Sequence, residues 1–140
     1  MLKDENIGFL IGRVRRGLRR EFDNKFTHKD ITPAQYDLIS RLWRKDGLYM
    51  TELSKGIYKD GPTVTGLVDR LEKKKLLVRK KDNKDRRAIR IFLTKKGKDL
   101  KGELSKLADE ILKKAIRDIA PHEMDKLKIL LNTIGTNLEK

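Results

Sequence analysis

The sequence contains no cysteine, which removes disulfides, thiolate metal ligands and thiol-based redox sensing together. Histidine is nearly as scarce. His28 and His122 lie far apart near expected helix boundaries, so no imidazole-rich metal site is expected. No apolar run approaches the length of a membrane span, and Met1–Glu5 lacks the apolar stretch of a signal peptide. A phosphate-cradling glycine loop is missing, and no acid pair has an evident catalytic partner. Internal repeats, linkers and low-complexity tracts are also absent. These gaps point away from an enzyme, a cofactor and a metal site, and toward a cytoplasmic protein. At 140 residues the chain suits one domain with one core.

What the sequence has in abundance is charge, at 40% of residues against 37% apolar. The apolar residues recur at helical spacing along nearly the whole chain, which marks it as folded rather than disordered. The net charge of +14 is concentrated: residues 70–98 hold 14 Lys/Arg and 3 Asp/Glu, whereas 31–69 and 99–140 are each neutral and 1–30 carry +3. A solvated face ordinarily mixes signs, as residues 99–140 do. A single-sign run repels itself, and a polyanionic partner explains it better. Nucleic acid fits ahead of an anionic membrane surface, because the basic segment lacks a long apolar face for insertion.

Helix signals dominate the pattern. Ile7, Ile11, Val14, Leu18 and Phe22 step by three and four along a first helix. A second is announced by Ile31-Thr32-Pro33-Ala34-Gln35-Tyr36: Thr32 is placed to cap, Pro33 suits the first turn, and Gln35 completes a capping box. Ile31 and Tyr36 are spaced for a hydrophobic staple. This helix buries Leu38, Ile39 and Leu42 and is expected to stop at Gly47. Leu48-Tyr49-Met50 reads as a short extended stretch, after which Thr51 is placed to cap a brief helix with Leu53 and Ile57. Asp60 is placed to cap the next helix, which carries Val64, Leu67, Val68 and Leu71 on one face. Two such helices across a tight turn form a helix-turn-helix. Leu77–Lys81 and Ile89–Leu93 then favour strand, with Asp82–Arg87 as a polar hairpin tip, so a wing follows. Thr94 is expected to cap one long helix with Leu100, Leu104, Leu107, Ile111, Ala115 and Ile119 on a stripe, ending at Pro121. In the last helix Met124, Leu127, Leu131, Ile134 and Leu138 form a seam of coiled-coil type.

This order of elements resembles the MarR family of regulators over essentially the whole chain. The most specific stretch is Thr63-Val64-Thr65-Gly66-Leu67-Val68-Asp69-Arg70-Leu71-Glu72-Lys73-Lys74, which is similar to the family's recognition helix. Asp85-Arg86-Arg87 followed by Leu93-Thr94 and Gly97 matches its wing signature, and Thr51-Glu52-Leu53 matches the preceding helix less distinctively. The resemblance implies a mainly α fold with a small β-wing. A winged helix-turn-helix at 31–98 would be flanked by N- and C-terminal dimerisation helices at 1–30 and 99–140, in one intertwined domain. Lys75 departs from the pattern, since the family usually has glycine there. If the position needs a left-handed backbone, lysine costs about 1 kcal/mol and could loosen the joint between helix and wing.

The core-facing residues leave Pro62, Thr63, Thr65, Gly66, Arg70 and Lys73 outward or at the helix start, where a major groove could be read. Thr63 suits either a phosphate contact or plain capping. Arg70 is equipped to read guanine or clamp phosphate, with a surface pair to Asp69 or Glu72 as the ordinary alternative. Lys84, Arg86 and Arg87 at the wing tip suit a minor groove, whose negative potential attracts arginine. By resemblance Asp85 orders the wing and Arg87 enters that groove; the ordinary alternative is a mobile basic loop.

The first and last helices present more apolar residues than one small core needs. An intramolecular bundle would hide them, but the resemblance favours a homodimer on a pseudo-palindromic double-stranded DNA operator. It also suggests a repressor released by a small phenolic or aromatic carboxylate effector. Arg16 could pair the carboxylate, with Tyr36, Ser40 and Trp43 lining the cavity, although ordinary core packing is the favoured account of the two aromatics. The alternative is a ligand-independent architectural DNA-binding protein.

Overall fold

A computed structural model describes residues 6–140; Met1–Glu5, and with them the signal-peptide reading, lie outside the described residues. Seven helices and a three-stranded sheet follow in the order α1 (Ile7–Lys25), α2 (Pro33–Arg44), β1 (Leu48–Tyr49), α3 (Met50–Gly56), α4 (Gly61–Lys73), β2 (Leu77–Lys81), β3 (Ile89–Leu93), α5 (Lys95–Asp99), α6 (Lys101–Ala115) and α7 (Pro121–Leu138). The fold is mainly α with a small β-wing, as expected.

Local signals set most boundaries. Asn6 caps α1 by accepting the Phe9 amide at 2.8 Å. At α2 the capping box closes in both directions: Thr32 Oγ1 accepts from Gln35 N at 3.1 Å, and Gln35 Oε1 accepts from Thr32 N at 3.3 Å. Three boundaries differ from the sequence reading. The second helix ends at Arg44 rather than Gly47, because Asp46 Oδ1 accepts from the Gly47 and Leu93 amides and draws the chain toward the sheet. Thr51 does not cap α3, which starts at Met50; the Tyr49 amide donates to Glu52 Oε1 at 2.9 Å instead. The expected long helix after Thr94 is divided at Leu100 into α5 and α6, and it stops at Ala115. Asp118 takes a left-handed φ of 70°, so Ile119 leaves the stripe and stands exposed before Pro121 opens α7.

The sheet order is β1-β3-β2, antiparallel throughout, so the short stretch at Leu48–Tyr49 adds a third strand to the expected two-stranded ribbon. In the wing, Leu77 pairs with Leu93, Arg79 with Ile91 and Lys81 with Ile89. One core joins Leu38, Ile39 and Leu42 of α2, Leu53 of α3, all four apolar residues of α4, Leu77, Ile91 and Leu93 of the sheet, and Leu104 and Ile111 of α6. Helix α1 lies along α6, tied by Lys25–Glu110 at 3.0 Å, Lys114–Glu21 at 2.9 Å and the Lys29–Glu103 pair. Neither α1 nor α7 has a buried residue. The α1 stripe at Ile7, Ile11, Val14 and Leu18 is exposed, as are Leu127, Leu131 and Leu138 of the α7 seam and its neighbours Ile129 and Leu130.

The joint between α4 and the wing turns on two residues. Lys75 has φ 63°, the left-handed region that favours glycine. Its amide donates to Glu72 O, and that of Leu76 donates to Leu71 O, which together form a Schellman cap. The joint is bonded from the far end of the hairpin: Thr94 Oγ1 donates to Lys75 O at 2.7 Å, Thr94 N to Leu76 O at 3.0 Å, and Lys96 Nζ to Lys74 O at 3.2 Å. Gly97 is tightly enclosed, since a Cβ there would stand 2.3 Å from Leu76 O. The two positions therefore respond oppositely in denaturant unfolding. Lys75→Gly is expected to stabilise by about 1 kcal/mol, whereas Gly97→Ala should destabilise by roughly 1–3 kcal/mol because a backbone oxygen cannot step aside. Unchanged stability in Gly97→Ala would refute this packing.

Candidate nucleic-acid interface

Helix α4 and the wing tip form the candidate interface. Asp60 Oδ1 accepts from the Thr63 amide at 2.7 Å, and the Thr63 amide and then its hydroxyl hold the Asp60 carboxyl below its usual range. Thr63 thus takes part in the helix start. With Val64, Leu67, Val68 and Leu71 buried, Pro62, Thr63, Thr65, Arg70 and Lys73 are exposed and Gly66 half-buried, all outside the core. Arg70 reaches back along its own helix: Nη1 lies 3.7 Å from where a Cβ on Gly66 would be. The carboxylates considered as its surface partners are taken by another residue. Arg79 of β2 donates through Nη2 to Asp69 Oδ1 at 2.5 Å and through Nη1 to Glu72 Oε1 at 2.6 Å. Among the described residues, Arg70 forms no ion pair.

The wing tip spans Asp82–Ala88 and is organised mainly by a residue not singled out in the sequence. Asp82 Oδ2 accepts the Lys84 and Asp85 amides at 3.2 and 3.1 Å, while its Oδ1 accepts from the Tyr49 hydroxyl at 3.1 Å and lies 3.9 Å from Arg90 Nη1. Arg90 is itself fixed, donating through Nε to Gly47 O at 2.8 Å with its guanidinium between the Tyr49 and Phe92 rings. Asp85 has a smaller reach: its Oδ1 accepts from Arg87 N at 3.1 Å and Arg87 Nε at 3.4 Å. Lys84, Arg86 and Arg87 stand outward, with the Arg87 side chain 94% exposed. An aspartate two residues before the amide it binds is a known turn signal, so Asp82 was in principle legible. The Arg79 clamp had no such local cue.

The four residues considered for an effector are not gathered into one cavity. Tyr36 packs edge-on against Phe22, Phe26 and Trp43, the last with ring centroids 5.8 Å apart. Trp43 Nε1 donates to Gly97 O at 2.9 Å, and the Ser40 hydroxyl donates to Asp37 O of its own helix at 2.8 Å. Arg16 is exposed on α1. Burial raises the Tyr36 hydroxyl pKa, against a hydrogen bond with Ser105. Ser105 in turn lines a surface cavity of about 420 Å³ with Gly102, Lys106, Asp109, Glu110 and Lys113. Among the described residues no cluster of His, Asp or Glu is suited to hold a metal, and no helix is long and apolar enough to cross a membrane.

Residues 31–89 match the family model described as the MarR family. The HTH-type transcriptional regulator TtmR of Methylorubrum extorquens is 27% identical over 133 residues, covering 95% of this chain. The chain spans 66% of TtmR, just under two thirds of that relative's length. Among solved structures, the Staphylococcus aureus MepR–DNA complex is similar at TM-score 0.85 and 27% identity, covering 95% of this chain and 98% of MepR. BpsR of Bordetella bronchiseptica, described for regulation of its DNA binding by 6-hydroxynicotinic acid, is similar at TM-score 0.85 and 26% identity, covering 94% of each chain.

The Asp82 carboxyl is held below its usual range, first by the Asp85 amide, then by the Tyr49 hydroxyl, the Lys84 amide and the Arg90 charge, with burial opposing. A folded pKa below the unfolded one means that the ordering it provides is complete above about pH 4 and lost as pH falls through the folded value. The Lys84 and Asp85 amide resonances should therefore titrate together below about pH 4. Asp82→Ala should disorder the tip already at neutral pH, and Asp85→Ala should leave it folded. An ordered tip in Asp82→Ala would overturn the assignment.

Proposed function

We propose that this chain is a winged-helix protein of the MarR family and acts as a sequence-specific double-stranded DNA-binding transcriptional regulator, a reading supported by the match over residues 31–89 and by the likeness to TtmR and BpsR. The observation that carries this reading is the pairing of a capped helix, whose outward residues include an unpaired Arg70, with a wing tip whose lysine and arginines project outward. In this reading α4 enters the major groove. Pro62, Thr63, Thr65 and Gly66 lie nearest the bases or backbone, Arg70 reads a base edge, and Lys73 meets phosphate. Lys84, Arg86 and Arg87 track the minor groove, with Asp85 aligning Arg87.

Two copies are proposed to assemble about a two-fold axis through residues 1–30 and 99–140, leaving 31–98 to read a pseudo-palindrome. The exposed apolar faces of α1 and α7 support this, because water-facing stripes of that length are relieved by a second copy. The proposed activity is repression relieved by a small anionic aromatic ligand. Support comes from BpsR, whose DNA binding is described as regulated by 6-hydroxynicotinic acid, an aromatic carboxylate. Arg16, Tyr36, Ser40 and Trp43 are the proposed contacts. They require the α1–α2 aromatic cluster to admit the ligand ring. The competing reading is a ligand-independent architectural DNA-binding protein, favoured by how completely Trp43 is already engaged.

Duplex binding should weaken roughly 10³-fold or more between 50 and 200 mM salt, because several phosphates are neutralised per subunit. In the same titration Arg87→Ala should lose most affinity on A·T-rich flanks, and Arg70→Ala should relax one position per half-site by about 1–3 kcal/mol. Leu131→Glu should separate the subunits in light scattering and abolish specific binding with them. A flat salt response would refute the DNA reading.

The effector reading is checked by thermal shift with salicylate and 6-hydroxynicotinic acid. A ligand at about 100 times its Kd should stabilise by about 2.7 kcal/mol and release DNA. No shift with either compound at millimolar concentration would favour the architectural alternative.

A further inference from the structure

The recognition helix carries two carboxylates, Asp69 and Glu72, immediately around Arg70. Spaced by three, they lie on one helical face, and a helix pressed against phosphates with both exposed would repel them. Arg79 donates to both with its two terminal nitrogens, at 2.5 and 2.6 Å, as charge-assisted hydrogen bonds. Its backbone sits at the middle of β2, opposite Ile91. One planar guanidinium thus joins the helix to the stem of the wing at two points, which a lysine ammonium cannot do.

The three side chains remain partly open to water, with Arg79 27%, Asp69 52% and Glu72 40% exposed. Ion pairs of that exposure add little to stability, so the consequence of this clamp lies in charge and geometry. We propose that Arg79 is a positioning residue for DNA recognition: without touching DNA, it masks the two acids of the recognition helix and fixes the angle between that helix and the wing. Arg70 is thereby left free for DNA, and the helix and wing approach two adjacent grooves as one body. The proposal rests on the DNA-binding reading above.

The test uses the full chain and two fluorescent duplexes of about 30 bp, long enough for two half-sites: a random-sequence pool, and the sequence that the wild-type chain itself enriches from that pool. Arg79→Met should weaken binding to both by about tenfold or more and flatten the salt slope by about one phosphate equivalent per subunit, as the freed acids oppose the backbone. Adding Asp69→Asn and Glu72→Gln should restore affinity and slope on the random duplex, yet leave preference for the enriched sequence reduced. Arg79→Lys should recover much of the affinity but not the preference. If the triple variant binds random DNA as poorly as Arg79→Met alone, Arg79 is itself a phosphate contact and the proposal falls. Asp69→Ala/Glu72→Ala with Arg79 intact removes both acceptors of the clamp without touching the strand. Full sequence preference in that variant would show that the clamp positions nothing. A wild-type chain that binds neither duplex would overturn the DNA reading, and the role of Arg79 with it, before any variant is compared.

Discussion

The chain leaves α4 through a left-handed lysine, and the way the wing is joined to that helix depends on what holds this residue. Lys75 at φ 63° closes the Schellman cap and turns Leu76 into the sheet. Thr94 at the far end of the hairpin then binds the carbonyls of Lys75 and Leu76. Lys74, one residue earlier, reaches the Asp30 carbonyl and Gln35 Oε1, so the end of α4 is tied to the start of α2. Gly97 packs against the Leu76 carbonyl, and its own carbonyl takes the indole N–H of Trp43. The joint is therefore held from three elements, which is how an unfavourable backbone conformation persists in a folded chain.

The same economy governs the basic segment. Of the lysines and arginines in residues 70–98, several hold the structure together: Arg79 bridges Asp69 and Glu72, Arg90 binds Gly47 and lies against Tyr49 and Phe92, and Lys74 and Lys96 cap carbonyls. Among those directed outward, Arg70 and Lys73 on α4 and Lys84, Arg86 and Arg87 at the wing tip lie at the two places a duplex could reach. The positive charge is thus sorted by geometry into structural and available groups. Of the acids in and beside the segment, Asp82 is buried beneath the tip and Asp69 and Glu72 are paired with Arg79, while Asp85 stays exposed beside Arg87. What is presented outward is more uniformly positive than the composition alone implies.

The two ends of the chain have a different character. The core of the winged helix is complete with α6 laid across it, yet Ile7, Ile11, Val14 and Leu18 of α1 and Leu127, Leu131 and Leu138 of α7 face water. Ion pairs fasten α1 to α6, but exposed pairs of this kind contribute modestly. A second copy is the occupant proposed for these faces, and it would also bring two recognition helices into a fixed relation.

Much of this was written in local sequence. The caps at Thr32, Asp60 and Thr94, the buried face Val64–Leu71 and the strands at 77–81 and 89–93 follow from spacing and capping chemistry, because each depends on residues a few positions apart. Not every helix end was legible: α2 stops early because Asp46 is claimed by the Leu93 amide 47 residues away, and α6 already stops at Ala115, ahead of a left-handed Asp118. Nor could composition separate Arg79 from Arg70, or Asp82 from Asp85. Which carboxylate meets which guanidinium is decided when strand β2 folds back beside α4 and Tyr49 arrives under the tip. The sequence determined a winged helix with a concentrated basic surface. Tertiary structure decided which charges build that surface and which remain for a partner, because ion pairing depends on distance in space rather than along the chain.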